Sequence, residues 1–225
     1  QIKSSLKTVI ESGVMGVVFA VLVILLFLAD WRATLTISLS IPLCILFSLI
    51  GLKIFNLSIN LMSLSGLVIS LGMVVDASSV MLDQIYRYYA KRNSNGELEY
   101  TVNQAINRGW NEVAASILAS AATTIVVFLP ISMLSGLIGK VLNTASITIM
   151  MAIFSSFLVA IIIVPYLLKL LLREEGPKIR TKKRKFDIVM DKIEAGYKKI
   201  LSVCLKNKPI VIISSIFLLI LSGLI

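Results

Sequence analysis

One carboxylate, Asp76, lies in the middle of the long apolar run Ile59 to Tyr89, INLMSLSGLVISLGMVVDASSVMLDQIYRYY. An acid at the centre of a membrane helix costs about 2.5–3.5 kcal/mol on insertion scales, so it marks a proton relay, an ion site or a buried ion pair. On a 3.6-residue helix its face takes in Ser65, Ile69, Gly72, Met73, Ser79, Val80 and Asp83. Gly72 stands one turn before the acid, where a small residue lets a neighbouring helix approach closely. Ser79 stands nearly one turn after it and can hydrogen-bond the acid or a water. Desolvation disfavours the charged form of a carboxyl unless a cation sits beside it. No Lys or Arg lies in the middle of a span, so the partner is a proton, a metal ion or a cation from sequence beyond these residues. A carboxyl whose charge depends on that partner suits the coupling of proton movement to conformational change.

The elements that must hold this acid are apolar helices. Of the 225 residues, 57% are hydrophobic and 15% charged, with mean hydropathy +0.94. The fold class is all-α, a polytopic transmembrane bundle of about six spans with an amphipathic cytoplasmic surface helix. We read the chain as a piece of a longer one, since it opens on Gln1 and stops inside an apolar run. Residues 1–12 are then the end of an external segment, 13–172 a five-span bundle, 173–207 a basic linker with a surface helix, and 208–225 a truncated sixth span.

Gly13 to Leu28 is the first span, closed by the interface signature Asp30-Trp31-Arg32. Ala33 to Phe55 is the second, with Pro42 inside, and the Asn and Ser of NLSIN cap the third. NSNG makes a turn at Asn93, Glu97 to Arg108 a short surface helix, and Val113 to Ile131 the fourth span, ending near Pro130. Ser132 to Asn143 reads as a loop or re-entrant piece, and Thr144 to Leu172 as the fifth span, with Pro165 late in it. Phe186 to Leu205 has one apolar face and several lysines, the pattern of a helix on an anionic membrane surface. Pro209 opens the sixth span.

The net charge of +10 lies in the loops, so it reports topology and not nucleic-acid binding. Lys and Arg concentrate after the third and fifth spans, which the positive-inside rule places in the cytoplasm. No histidine is present, which removes His-based catalysis and His-liganded zinc from these residues. Cys44 and Cys204 are unpaired apolar side chains, and there is no GxxxxGK[ST] loop for ATP hydrolysis.

SLGMVVDASSVMLDQIYR resembles the fourth-helix motif of the resistance-nodulation-division (RND) efflux pumps. Other matches follow in family order. FLADWRATLTISLSIPL resembles the join of the second and third helices, ATTIVVFLP followed by Gly136 the fifth helix and its loop, and IIIVPYLL the end of the sixth. The Phe186–Leu205 helix resembles the family's cytoplasmic surface helix. The resemblance implies a proton-driven exporter of the inner membrane, a secondary transporter and not an enzyme. Proton motive force would drive it, with no bound cofactor and no metal site. It also implies a homotrimer, a second half of the same transporter, a periplasmic adaptor and an outer-membrane channel. Asp76 matches the family's proton-relay Asp, with Gly72, Ser79 and Asp83 supporting the relay helix. The multidrug branch often has a second Asp next in sequence, where this chain has Ala77. That substitution and Met81 are similar to the heavy-metal branch. The family's Lys partner of the relay belongs to a later helix. Heavy-metal export, a secretion-motor or lipid-export relative, and a non-transporting scaffold or channel stand as the other readings.

Overall fold

The computed structural model describes residues 2–28, 30–94, 96–174, 176, 185–207, 216 and 220–222. Among them there is no strand, only one isolated antiparallel bridge between Arg92 and Leu98. The helices are α1 (Ile2–Leu28), α2 (Trp31–Ile54), α3 (Leu61–Tyr89), α4 (Val102–Ser132), α5 (Gly136–Leu158), a π turn (Val159–Ile163), α6 (Val164–Leu171) and α7 (Lys185–Lys206). Among the described residues four stretches are long and apolar enough to cross a membrane: Trp31–Ile54, Leu61–Tyr89, Val102–Ser132 and Gly139–Leu171. A shorter apolar stretch, Glu11–Leu26, lies in α1. Most of the expected sixth span, and the linker at 177–184, lie outside the described residues.

Residues 1–177 form one compact unit, with α3 at its centre packed against α1, α2, α4 and α5. The apolar core is built by Ile37, Ile41 and Cys44 of α2, Val74, Met81, Leu82 and Ile85 of α3, and Val159, Val164 and Leu168 beyond α5. Large apolar side chains also cover the outside, among them Phe19, Leu22, Phe47, Val126 and Val127, as a lipid-facing surface requires. Helix α7 belongs to the second unit. Along it Ile193, Tyr197, Ile200 and Leu201 recur at helical spacing and are exposed, and Lys198 pairs with Glu194 at 2.6 Å.

Helix ends obey local chemistry. Asp30 caps α2, its Oδ1 accepting from the Arg32 N–H at 2.9 Å. Asn56 takes the left-handed conformation, φ 53°, that Asn tolerates better than most residues. Its N–H and that of Leu57 reach back to the carbonyls of Lys53 and Leu52 and close α2 in a Schellman motif. Asn60 and Ser63 then form a reciprocal capping box at the start of α3.

Three expectations are corrected. The stretch from Glu97 is not a surface helix ending at Arg108: α4 starts at Val102, capped by Thr101 and Gln104, and runs unbroken to Ser132. Gly109 does not break it but seats α4 on α3, since a Cβ there would lie 2.8 Å from Ile85 Cα. Ser132 to Asn143 is not a loop. Only Met133–Ser135 turn, Gly136 starts α5 at φ +88°, and Asn143 reaches back to donate to the Ser132 carbonyl. The last span is not a plain helix from Thr144, for it starts at Gly136 and passes through the π turn before Pro165.

Candidate functional site

Asp76 lies near the middle of α3 and lines an open groove of about 340 Å³ between α3, α4 and α5. Met73, Ala77 and Val80 flank it on its own helix. Ser116, Ser120 and Thr124 face the same groove from α4, and Ser156 and Phe157 from α5. The α4 hydroxyls follow i, i+4, i+8 spacing, so one helix face carries all three. Thr124 is turned back on its helix, donating to the Ser120 carbonyl at 2.9 Å. Ser156 is buried and donates at 2.8 Å to the carbonyl of Val74, two residues before the acid. The wall beside Asp76 is therefore largely apolar and dotted with hydroxyls: those of Ser116 and Ser120 can donate to a carboxylate, and those of Thr124 and Ser156, whose protons are engaged, can accept from a carboxylic acid.

The acid is not sealed within the bundle. Asp76 is exposed at the groove, because no described helix covers that face of α3. Gly72 is exposed too, and a Cβ added there would meet nothing within 4 Å. The close helix approaches occur elsewhere, at Gly109 and at Gly66, where a Cβ would lie 2.9 Å from the Ala145 carbonyl oxygen. Ser79 is half-buried and makes no hydrogen bond to Asp76 among the described residues. Asp83 is exposed, two turns beyond the acid on the same side. Neither Gly72, Ser79 nor Asp83 lines the groove. The residues that do, Ser116, Ser120, Thr124 and Ser156, went unread in the sequence, although the polar spacing in ASILASAATT within an apolar span was a usable signal. Ser78, fully buried on α3, has a hydroxyl without a hydrogen-bond partner among the described residues.

Beyond the groove, α3 ends in a set of cross-helix bonds. The Tyr86 hydroxyl donates to Asp30 Oδ2, and Tyr86 packs edge-on against Tyr89. Tyr89 donates to the Arg173 carbonyl at 2.9 Å, and Arg32 Nη1 to the Leu171 carbonyl at 2.6 Å. Arg32 thereby satisfies the Leu171 carbonyl that the end of α6 leaves open, and Tyr89 shares the Arg173 carbonyl with the Gly176 N–H. Between α3 and α4, Lys91 Nζ sits 3.0 Å from Glu99 Oε1, and the Arg108 guanidinium lies 4.7 Å from the Tyr100 ring centre. Tyr100 and then Lys91 hold the Glu99 carboxyl below the usual carboxylate range, and Glu99 raises Lys91. Among the described residues no group of three or more His, Cys, Asp or Glu side chains is placed to hold a metal.

Comparison with known proteins gives one consistent result. The AcrB/AcrD/AcrF family profile matches residues 1–225. The swarming motility protein SwrC of Bacillus subtilis is 31% identical over 220 residues, covering 97% of this chain and 20% of that protein. The multidrug resistance protein MdtC of Citrobacter koseri is 30% identical over 196 residues, 87% of this chain and 18% of that protein. MdtC of Klebsiella pneumoniae is 31% identical over 206 residues, 92% of this chain and 19% of that protein. The chain thus spans about a fifth of the length of these relatives.

Proposed function

The chain belongs to the AcrB/AcrD/AcrF family of resistance-nodulation-division transporters, and from that premise we propose that it is the proton-coupling part of an exporter. Asp76 is the group that takes up and releases the proton. One observation carries this reading: a mid-span carboxylate opens onto a groove lined by hydroxyls, with no basic side chain among the groove residues. A charge so placed is costly unless it is neutralised, and a proton is the cheapest neutraliser available there. The missing cation comes from the remainder of the transporter, whose helices cover the open face of α3. Gly72, free of neighbours within this chain, is the place for such a helix to approach. Ser79 and Asp83 extend the same face.

The whole protein then works as a homotrimer in the inner membrane, with an adaptor and an outer-membrane channel, and exports drugs or other amphiphiles. The names of the MdtC relatives support that substrate class. The Lys- and Arg-rich segment 173–207 lies on the cytoplasmic side, with α7 on the membrane surface. The test uses the full-length protein in proteoliposomes with an imposed pH gradient. Asp76→Asn should reduce uphill transport to background at unchanged expression and thermal stability. Transport at the original rate in that variant would refute the reading.

A further inference from the structure

We propose that Trp110 is a positioning residue that holds the π turn in register and so keeps α5 aligned along the Asp76 groove. The inference rests on the proton-coupling role proposed for Asp76, but its structural half can be judged alone.

The argument begins with hydrogen-bond accounting along Val159–Ile163. The Val164 N–H reaches back five residues to the Val159 carbonyl, not four to Ala160. The next residue, Pro165, has no N–H to give Ile161. Two successive carbonyls, of buried Ala160 and half-buried Ile161, therefore lose the donor four residues on, within a span where the bilayer offers little water. Trp110, reaching across from α4, donates its indole Nε1–H to the Ile161 carbonyl at 3.2 Å. Tryptophan has a donor and no acceptor, so this is the polar bond that its ring can make. The next residue back, Gly109, is pressed on the backbone of α3 at Ile85, which fixes where the indole starts from. Trp110 thus spans from the α3–α4 contact to the one turn of the last span whose backbone ladder is broken.

The consequence falls on the groove. Ser156 and Phe157, which line it, precede the π turn by two or three residues. A π turn holds one extra residue, so converting it to α would rotate α5 against α6 by about 100°. That rotation would carry Ser156 off the Val74 carbonyl and Phe157 off the groove. The indole bond favours the present register, because a rotation through the turn would draw the Ile161 carbonyl away from the Trp110 N–H on α4. Trp110 thereby acts on the reacting carboxyl through α5 and does not touch it.

The experiment compares four full-length proteins: the parent, Trp110→Phe, Pro165→Ala and the double variant. Trp110→Phe keeps an aromatic ring and removes only the donor. Hydrogen exchange at the amides of Val164 and Tyr166 should accelerate roughly two- to tenfold, the size expected for one lost hydrogen bond. The maximal transport rate should fall with an unchanged half-saturation concentration, since substrate binding is untouched. Pro165→Ala restores a backbone donor for Ile161, so in that background Trp110→Phe should change neither exchange nor rate. Unaltered exchange in Trp110→Phe, or equal losses in both backgrounds, would overturn the proposal. If Asp76→Asn still transports, the coupling reading fails, while the exchange comparison still decides the role of Trp110.

Discussion

The two halves of α3 are held in opposite ways. From Tyr86 onward its side chains bond to three other segments: Asp30 before α2, Arg173 after α6, and Glu112 of α4 through Tyr88 at 2.7 Å. One to three turns earlier, around Asp76, the helix meets its neighbours mainly through apolar contact, and the acid faces an open groove. The contrast separates two tasks. The fastened end sets the position of the helix, and the unfastened middle leaves the carboxyl outside the hydrogen-bonded cluster, as the proposed relay requires. A relay built into a fully bonded cluster would have to rupture several hydrogen bonds in each cycle, at about 1 kcal/mol or more apiece.

Packing glycines offer the strongest way to break this contrast. Gly109 lies where α4 meets the fastened half of α3, and a Cβ would meet backbone atoms at 2.8 Å. Gly109→Ala should lower unfolding stability by about 1–3 kcal/mol, the usual cost of overpacking, measured by thermal or denaturant unfolding in detergent. Gly72→Ala lies on the open side with nothing within 4 Å. By itself the chain should accept that change with no loss, and helix propensity predicts a gain of up to about 1 kcal/mol. A large loss of stability in Gly72→Ala would mean that the middle of α3 is as tightly held as its end.

Tyr86→Phe sharpens the comparison at smaller scale. It removes the hydroxyl that donates to Asp30 and leaves the ring edge-on to Tyr89. The loss should be about 1–2 kcal/mol, between the values usual for a neutral bond and for one to a charged acceptor. Proton-coupled transport should persist in the surviving protein, the reverse of the pattern expected for Asp76→Asn. Loss of coupling with normal stability in Tyr86→Phe would move the functional centre to the fastened end.

The sequence exposed the helices and the acid but not which faces were closed. Asp30 and Asn60 were readable as punctuation because their caps are local, formed within three residues. Glycines were not, because one residue type serves as helix start at Gly136, as packing seat at Gly66 and Gly109, and as open surface at Gly72. Their spacing cannot distinguish these uses, since the deciding atoms come from helices distant in sequence. Ending a surface helix at Arg108, just before Gly109, and reading Ser132 to Asn143 as a loop or re-entrant piece came from that ambiguity. The π turn was hidden for a related reason. Pro165 announced a freed carbonyl, but its donor, Trp110, lies on another helix. The open face at Asp76 was not legible either, because centrality along a span says nothing about coverage around it.

The smallest effect belongs to the Lys91–Glu99 pair in the α3–α4 connection, which tests whether everything near the fastened end matters equally. The Glu99 carboxyl is lowered by Tyr100 and Lys91, so its contribution exists above the ordinary carboxylate range and fades as pH falls through the lowered value. Lys91 is raised by Glu99, so its share is complete below the ordinary ammonium range and fades only as pH rises through the raised value. Both contributions are therefore constant across neutral pH. Glu99→Gln should lower stability slightly and by the same amount from about pH 6 to 8, with the difference shrinking below about pH 4. Added salt should shrink it as well, because the pair is solvent-exposed. A neutral-pH titration of that difference would assign to this connection a proton-sensitive role that the groove alone is expected to hold.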